Sequence, residues 1–319
     1  MRRFDSRAEP PVNELVAVDW KPGKPAIAIE QGVAIPMSHP TEFFYAFGSL
    51  GDELVAATNR GGVHVFDGRV WKPVRTPDGK SFQVYATLNT QNRLLLGQYP
   101  TGEMYQYVGG QLKRLEGWPP VMQGVSSKAR ELQTLATYGG DIYAGVWPWG
   151  EVWRRDLSKK EWQFLGRVFT HPEPTDETTH PYENETKALD PVPNRWGQRV
   201  TSIVPLGDSL YIATSAKTPQ PFEPKFGFLA DKKQLEYGTV YRYRKPGCLA
   251  VPIIWKETPI ELEFRITSNN IDVWQDGKLL GTASWKKRYP ARLESLTIQK
   301  GAGVYGAFGG KIIESAPPN

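Results

Sequence analysis

The chain reads as all-β, a β-propeller of about six blades (five to seven) closed by an N-terminal strand, and three observations support that reading. Aromatic residues and turn formers are plentiful among the 319 residues, with Trp 11, Tyr 14, Phe 13, Gly 31 and Pro 27. Such residues suit half-buried strands joined by tight turns. No stretch of about 15 residues carries the apolar spacing of three and four that marks an amphipathic helix. Finally, one phrase recurs four times: a Gly-Asp-like turn, an alternating strand, a variable loop, a Gly and a second alternating strand.

The first copy runs from Gly51-Asp52 through Leu54-Val55-Ala56-Ala57-Thr58 to Gly62-Val63-His64-Val65-Phe66 and Trp71. The second holds Leu94-Leu95-Leu96-Gly97 and then Gly102-Glu103-Met104-Tyr105. Gly140-Asp141-Ile142-Tyr143 leads the third to Gly150-Glu151-Val152-Trp153 and Trp162. The fourth has Gly207-Asp208-Ser209-Leu210-Tyr211 and, much later, Gly238-Thr239-Val240-Tyr241-Arg242-Tyr243. Leu54, Leu94, Ile142 and Leu210 are spaced 40, 48 and 68 residues apart. A period of about 40–50 with short strands is that of propeller blades, which must stack because one blade cannot cover its own apolar face.

The ends of the chain follow the pattern less closely. Residues 1–40 form an N-terminal segment, with a closing strand expected near Leu15-Val16-Ala17-Val18; closure removes open sheet edges. Residues 41–253 hold the four clear blades. Residues 254–319 hold two meanders, readable as degenerate blades or as a small β-sandwich. One meander runs Leu262–Ile266, Ile271–Trp274 and Lys278–Gly281; the other runs Leu296–Ile298, Val304–Phe308 and Lys311–Ile313.

The phrases Gly207-Asp208-Ser209-Leu210-Tyr211 and Gly238-Thr239-Val240-Tyr241-Arg242-Tyr243 resemble those of kelch-type and related β-propeller repeats, over roughly residues 42–253. Most copies lack the paired glycines of kelch. The resemblance implies a fold and no activity.

Composition excludes few function classes. The net charge of +5 comes from 39 basic and 34 acidic residues with no Lys/Arg block, and no nucleic-acid motif accompanies it, so nucleic acid is a disfavoured partner. No run of about 20 apolar residues could span a membrane as a helix. The start of the chain has no apolar signal core, and a secreted or periplasmic setting is favoured only if a leader has been removed. Cys248 is the single cysteine, which excludes an internal disulfide and leaves the redox compartment open.

In a blade, the connections between strands two and three and those between blades emerge on the same face, opposite the short Gly-Asp turns. All the long insertions here are of those two kinds, and loops that vary on a fixed scaffold tend to carry function. The insertion around His171-Pro172-Glu173 and His180-Pro181-Tyr182 holds two of the four histidines with carboxylates close by. His171, His180 and Glu173 could hold a divalent metal such as zinc or manganese. His180 and Tyr182 could instead exchange protons. Read blandly, the same segment is a solvated acidic loop.

Trp147 and Trp149 flank Pro148, and with Tyr99 and Trp196 they are candidates to stack on sugar rings or to pack beneath neighbouring loops. Arg60, Arg195, Arg199 and Lys217 lie along the same rim, where they could neutralise an acidic sugar or serve as ordinary surface charges. These features suggest a carbohydrate-binding or carbohydrate-active propeller whose partner is an anionic polysaccharide or oligosaccharide. If catalytic, the expected reaction is uronate β-elimination by a lyase, with Arg195 or Arg60 neutralising the carboxylate and His180 or Tyr182 moving the proton. The alternative is a non-catalytic scaffold that binds a protein through the same face.

Overall fold

The computed structural model describes residues 1–284, apart from 24, 26, 27, 79, 157–159, 219–221, 231, 246 and 247. The last meander expected from the sequence therefore lies outside the described residues.

The described residues form six antiparallel sheets. The first joins β1 (Arg2–Asp5), β2 (Val12–Ala17) and β3 (Val33–Pro36). The second runs in order through β4 (Phe44–Leu50), β5 (Glu53–Thr58), β6 (Val63–Phe66) and β7 (Trp71–Arg75). The third comprises β8 (Gln83–Thr90), β9 (Arg93–Tyr99), β10 (Met104–Val108) and β11 (Gln111–Leu115). The fourth holds β12 (Glu131–Tyr138), β13 (Asp141–Trp147), β14 (Glu151–Asp156) and β15 (Glu161–Arg167). The fifth has β16 (Gln198–Leu206), β17 (Ser209–Ala216) and β18 (Val240–Tyr243). The sixth is the meander β19 (Leu262–Ile266), β20 (Asn270–Gln275) and β21 (Lys278–Ser284).

The first strands of the middle four sheets, β4, β8, β12 and β16, pack side by side in succession, which gives a propeller-like fan. Small residues make this approach close. In register, Ala57 faces Ala46, Gly97 faces Ala86, Gly145 faces Thr134 and Ala213 faces Ser202. A Cβ on Gly97 would come 2.6 Å from the Leu132 carbonyl oxygen, and one on Gly145 would come 2.6 Å from Val200 Cβ. Glycine there lets one sheet seat against the first strand of the next. Apolar clusters fill these seams: Val55, Val84 and Leu96 lie in one, Leu95, Leu132 and Trp149 in another, and Ala136, Val200 and Leu210 in a third. Each fully buried leucine contributes on the order of 2 kcal/mol.

A second regularity links neighbouring sheets. In the second, third and fourth sheets, the loop between the second and third strands bridges, in parallel, a residue at the entry to the next sheet: Arg60 to Phe82, Thr101 to Arg130 and Trp149 to Gln198. Both kinds of long connection therefore meet at one end of the fan. Arg130 is buried there against Glu151, with Nη2 to Oε2 at 3.0 Å, and it also donates to the Pro120 carbonyl at 2.8 Å.

The N-terminal strand expected near Leu15-Val16-Ala17-Val18 falls in β2, which belongs to a three-stranded sheet of its own. Both edges of β2 are filled within its own sheet, by β1 and β3. That sheet attaches beside the second one: Trp71 Nε1 donates to the Val33 carbonyl at 2.9 Å, and Asn13 Nδ2 donates to the Glu42 carbonyl at 2.9 Å. No helix among the described residues is long and apolar enough to cross a membrane.

Candidate functional site

Each first strand of the fan carries a β-bulge near its start. The register shifts between Phe44 and Ala46, Val84 and Ala86, Leu132 and Thr134, and Val200 and Ser202. The extra residues are Tyr45, Tyr85, Gln133 and Thr201. A bulge re-aims a side chain out of the ordinary pleat, and here it does so four times at the end where the long connections meet. Counting back from the bulges, Gln83, Glu131 and Arg199 occupy equivalent positions in successive sheets.

These positions form a continuous polar and aromatic arc, the mouth of the fan. The Tyr45 and Tyr85 rings meet edge to face at 5.1 Å, and Tyr85 reaches Tyr99 at 6.4 Å. Tyr99 lies 6.5 Å from Trp147, whose ring is 4.9 Å from the His180 imidazole. The Lys217 ammonium sits 5.2 Å from the centre of the Trp147 ring. Arg199 Nη2 approaches Glu131 Oε1 to 3.7 Å, and Arg199 Nη1 donates to the Lys217 carbonyl at 3.4 Å.

Glu131 is the residue that sequence reasoning missed. It is 2% exposed, and its Oε1 accepts no hydrogen bond among the described residues. Burial pushes its carboxyl up to about 7, against the opposing pull of Arg199 and Lys217. Burial also lowers the Lys217 ammonium, which Arg199 depresses further while Glu131 opposes. The Tyr85 phenol is raised by burial and then by Glu131, so it keeps its proton; its hydroxyl donates to Gln83 Oε1 at 2.8 Å. A carboxyl poised near neutrality, two cations and a protonated phenol thus share one place. Such groups can transfer protons and hold an anion. The sequence did carry a signal: aligning the copies on the small residues Ala57, Gly97, Gly145 and Ala213 puts Glu131 and Arg199 at one position of the repeat.

The residues expected from the sequence fall into two groups. Tyr99, Trp147, Arg199, Lys217 and His180 are drawn together at the mouth. The tryptophans are not the exposed platforms expected of sugar-stacking rings, because Trp147 is 1% and Trp149 0% exposed. Trp147 is wedged against Gly197, where an added Cβ would come 2.7 Å from Trp147 Cε2. Trp149 belongs to the core, with the Arg167 guanidinium 5.3 Å from its ring. Trp196 is buried with Tyr182, Phe226 and Leu229 in an apolar cluster under the 217–239 connection. Arg195 is buried in an ion pair with Asp190 at 2.7 Å, which also removes it from the carboxylate-neutralising role. Arg60 lies in the first loop, where its guanidinium donates to Thr41 Oγ1 at 2.6 Å.

The histidine-bearing segment is a packed cap. Arg167 ties it down by donating to the carbonyls of Trp149 (3.0 Å), Pro172 (2.7 Å) and His171 (3.1 Å) and to Gln198 Oε1 (2.8 Å). Gln198 Nε2 also donates to the His171 carbonyl. His171 Nδ1 accepts from the Tyr182 hydroxyl at 2.7 Å, and its Nε2 donates to the Lys233 carbonyl at 3.0 Å. Burial lowers the pKa of His171, in keeping with this neutral tautomer.

Both nitrogens of His171 are thus occupied, and Glu173 is exposed. The metal set of His171, His180 and Glu173 is not assembled, and no group of three or more His, Cys, Asp or Glu among the described residues could hold a metal ion. Tyr182 is committed to His171 and stacks on Phe228 at 4.8 Å, within the apolar cluster of Trp196 and Phe226. His180 Nδ1 pairs with Glu183 Oε2 at 3.1 Å, leaving Nε2 buried without a partner. Burial lowers the His180 pKa against the pull of Glu183.

No protein-family model and no curated protein match the chain. Among solved structures, the computationally designed Ika4 protein is similar at 16% identity over 65% of this chain and 94% of its own, with a TM-score of 0.36. The designed Ika8 protein is 15% identical over 86% of this chain and 75% of its own, with a TM-score of 0.36. The N-terminal domain of Nup159 is 10% identical over 86% of this chain and 70% of its own, with a TM-score of 0.38. Likeness this distant brings no activity to the chain.

Proposed function

We propose that the mouth of the fan binds an anionic, uronate-containing oligosaccharide and acts on it as a lyase. The observation that supports this most is the buried Glu131 carboxyl, pushed up to about 7 beside Arg199 and Lys217. The same reading takes the fan of sheets as part of one closed ring of about six blades, with the mouth on its axis.

In this scheme Arg199 and Lys217 hold the uronate carboxylate and lower the cost of charge developing on it. Deprotonated Glu131 takes the C5 proton. The electron pair left on C5 forms the C4=C5 double bond as the C4–O bond breaks. The departing oxygen takes a proton from Tyr85, which burial keeps protonated. Tyr99 and Tyr45 flank the sugar, and Tyr45 is open enough to meet it at 39% exposed.

The test is incubation with a panel of uronate polymers while the absorbance of the unsaturated product is followed. Wild type is expected to generate product, and Glu131→Gln to lose at least about 100-fold in rate, the usual contribution of an acid–base group. Absence of product from every uronate polymer would remove the lyase reading. Product formation at an undiminished rate by Glu131→Gln would remove the role of that residue.

A further inference from the structure

We propose that a second site, in the seam between the third and fourth sheets, binds a dianionic tetrahedral oxyanion of the phosphate class. Its core is a pair of arginines from different sheets. Arg93 starts β9, just after the Gln91-Asn92 turn, and Arg155 lies near the end of β14. Both positions are at the far ends of their sheets from Gln83 and Glu151, the residues nearest the long connections.

The two guanidiniums share one tryptophan. Arg155 Cζ lies 3.6 Å from the centre of the Trp118 ring, and Arg93 Cζ lies 5.8 Å from the same ring. Trp162 forms the next wall, 6.0 Å from Trp118 in an edge-to-face contact. Arg155 is 8% exposed, and among the described residues its side chain forms no hydrogen bond or ion pair. Arg93 donates to Gln106 Oε1 at 2.8 Å and to Gln91 Oε1 at 3.1 Å, but its Nε is buried without an acceptor. Trp162 Nε1 is likewise buried with no acceptor. Among the described residues, the slot therefore gathers donors and has no carboxylate paired with them.

Three other arginines that the fold buries wholly or in part have carboxylate partners. Arg130 has Glu151 at 3.0 Å, Arg195 has Asp190 at 2.7 Å and Arg199 has Glu131 at 3.7 Å. Burial lowers the pKa of Arg93, and that of Arg155 is lowered by burial and then by Arg93 itself. Two desolvated cations facing one another are costly unless something negative lies between them. Two guanidiniums that come from different sheets can grip one ligand from two sides, which suits a tetrahedral oxyanion carrying two charges. The indole walls hold the guanidiniums in place and favour their stacked geometry.

The site is tested by thermal unfolding in millimolar inorganic phosphate against chloride at matched ionic strength. Wild type is expected to gain about 3 °C or more in phosphate. Arg155→Gln is expected to lose that gain, and Arg93→Gln, at a more exposed position, supplies an independent variant if the first folds poorly. Arg199→Gln, at the mouth, is expected to keep the gain. No gain in wild type overturns the proposal. So does a gain that survives both Arg155→Gln and Arg93→Gln, or one lost only in Arg199→Gln. Nitrate, a planar monoanion, is expected to give no gain; a nitrate effect equal to that of phosphate overturns the assignment of ligand class.

Discussion

Glu131 shows how position in a repeat can matter more than residue type. As the first residue of β12 it has Trp147 opposite in register, and its charge acts on the Tyr85 and Tyr99 phenols of the third sheet. Its carboxyl titrates near 7 in the fold, against an ordinary value of 4.5. A carboxyl with a raised pKa binds its proton more tightly when folded, so its stabilising contribution is complete below about pH 4 and is lost as pH rises through 7. The shift corresponds to about 3 kcal/mol. Wild type should therefore lose stability between pH 4.5 and 8 relative to Glu131→Gln, whose amide does not titrate. Urea denaturation of both proteins across that range checks this, and parallel pH profiles would contradict the placement of Glu131.

At the scale of elements, the small residues of the second strands decide how the sheets meet. Gly97 and Gly145 each press on the first strand of the next sheet, and at both sites the nearest atoms belong to stiff structure, the Leu132 carbonyl in one case and the Val200 Cβ in the other. Gly145→Ala should therefore destabilise by about 1–3 kcal/mol, because the neighbouring strand must shift to admit a methyl group. An alanine at Gly140, in the 139–140 turn, meets nothing within 4 Å. It carries only the strain of a positive φ of 82°, and serves as the control. Guanidinium denaturation of the two variants separates seam packing from turn strain; equal losses would argue against close seating of the sheets.

These elements were legible in the sequence to different degrees. The turns and strands of the four copies could be read directly, because alternation and Gly-Asp turns are local signals. The bulges could not, since a bulge is a shift between two strands and leaves no composition mark on either. The N-terminal sheet was also hidden: Leu15 and Val16 look like any apolar strand, and only the partners β1 and β3 show which edges it fills.

For the whole molecule, the reading that mattered most was that the long connections share one end. The Trp147 and His180 rings, 4.9 Å apart, come from the end of β13 and from the connection between the fourth and fifth sheets, and meet there. What each residue does at that end was not legible, because burial is a property of the assembled fan. Trp149, Trp196 and Arg195 looked like rim residues and became packing or ion-paired groups, while Glu131 looked like an ordinary strand residue. The most direct measurement is calorimetric titration of a uronate trisaccharide into wild type and Arg199→Met at neutral pH. Saturable binding by wild type, weakened at least 10-fold in Arg199→Met, is expected if the mouth holds the carboxylate. Binding of equal strength in both proteins, or none in wild type, would contradict it.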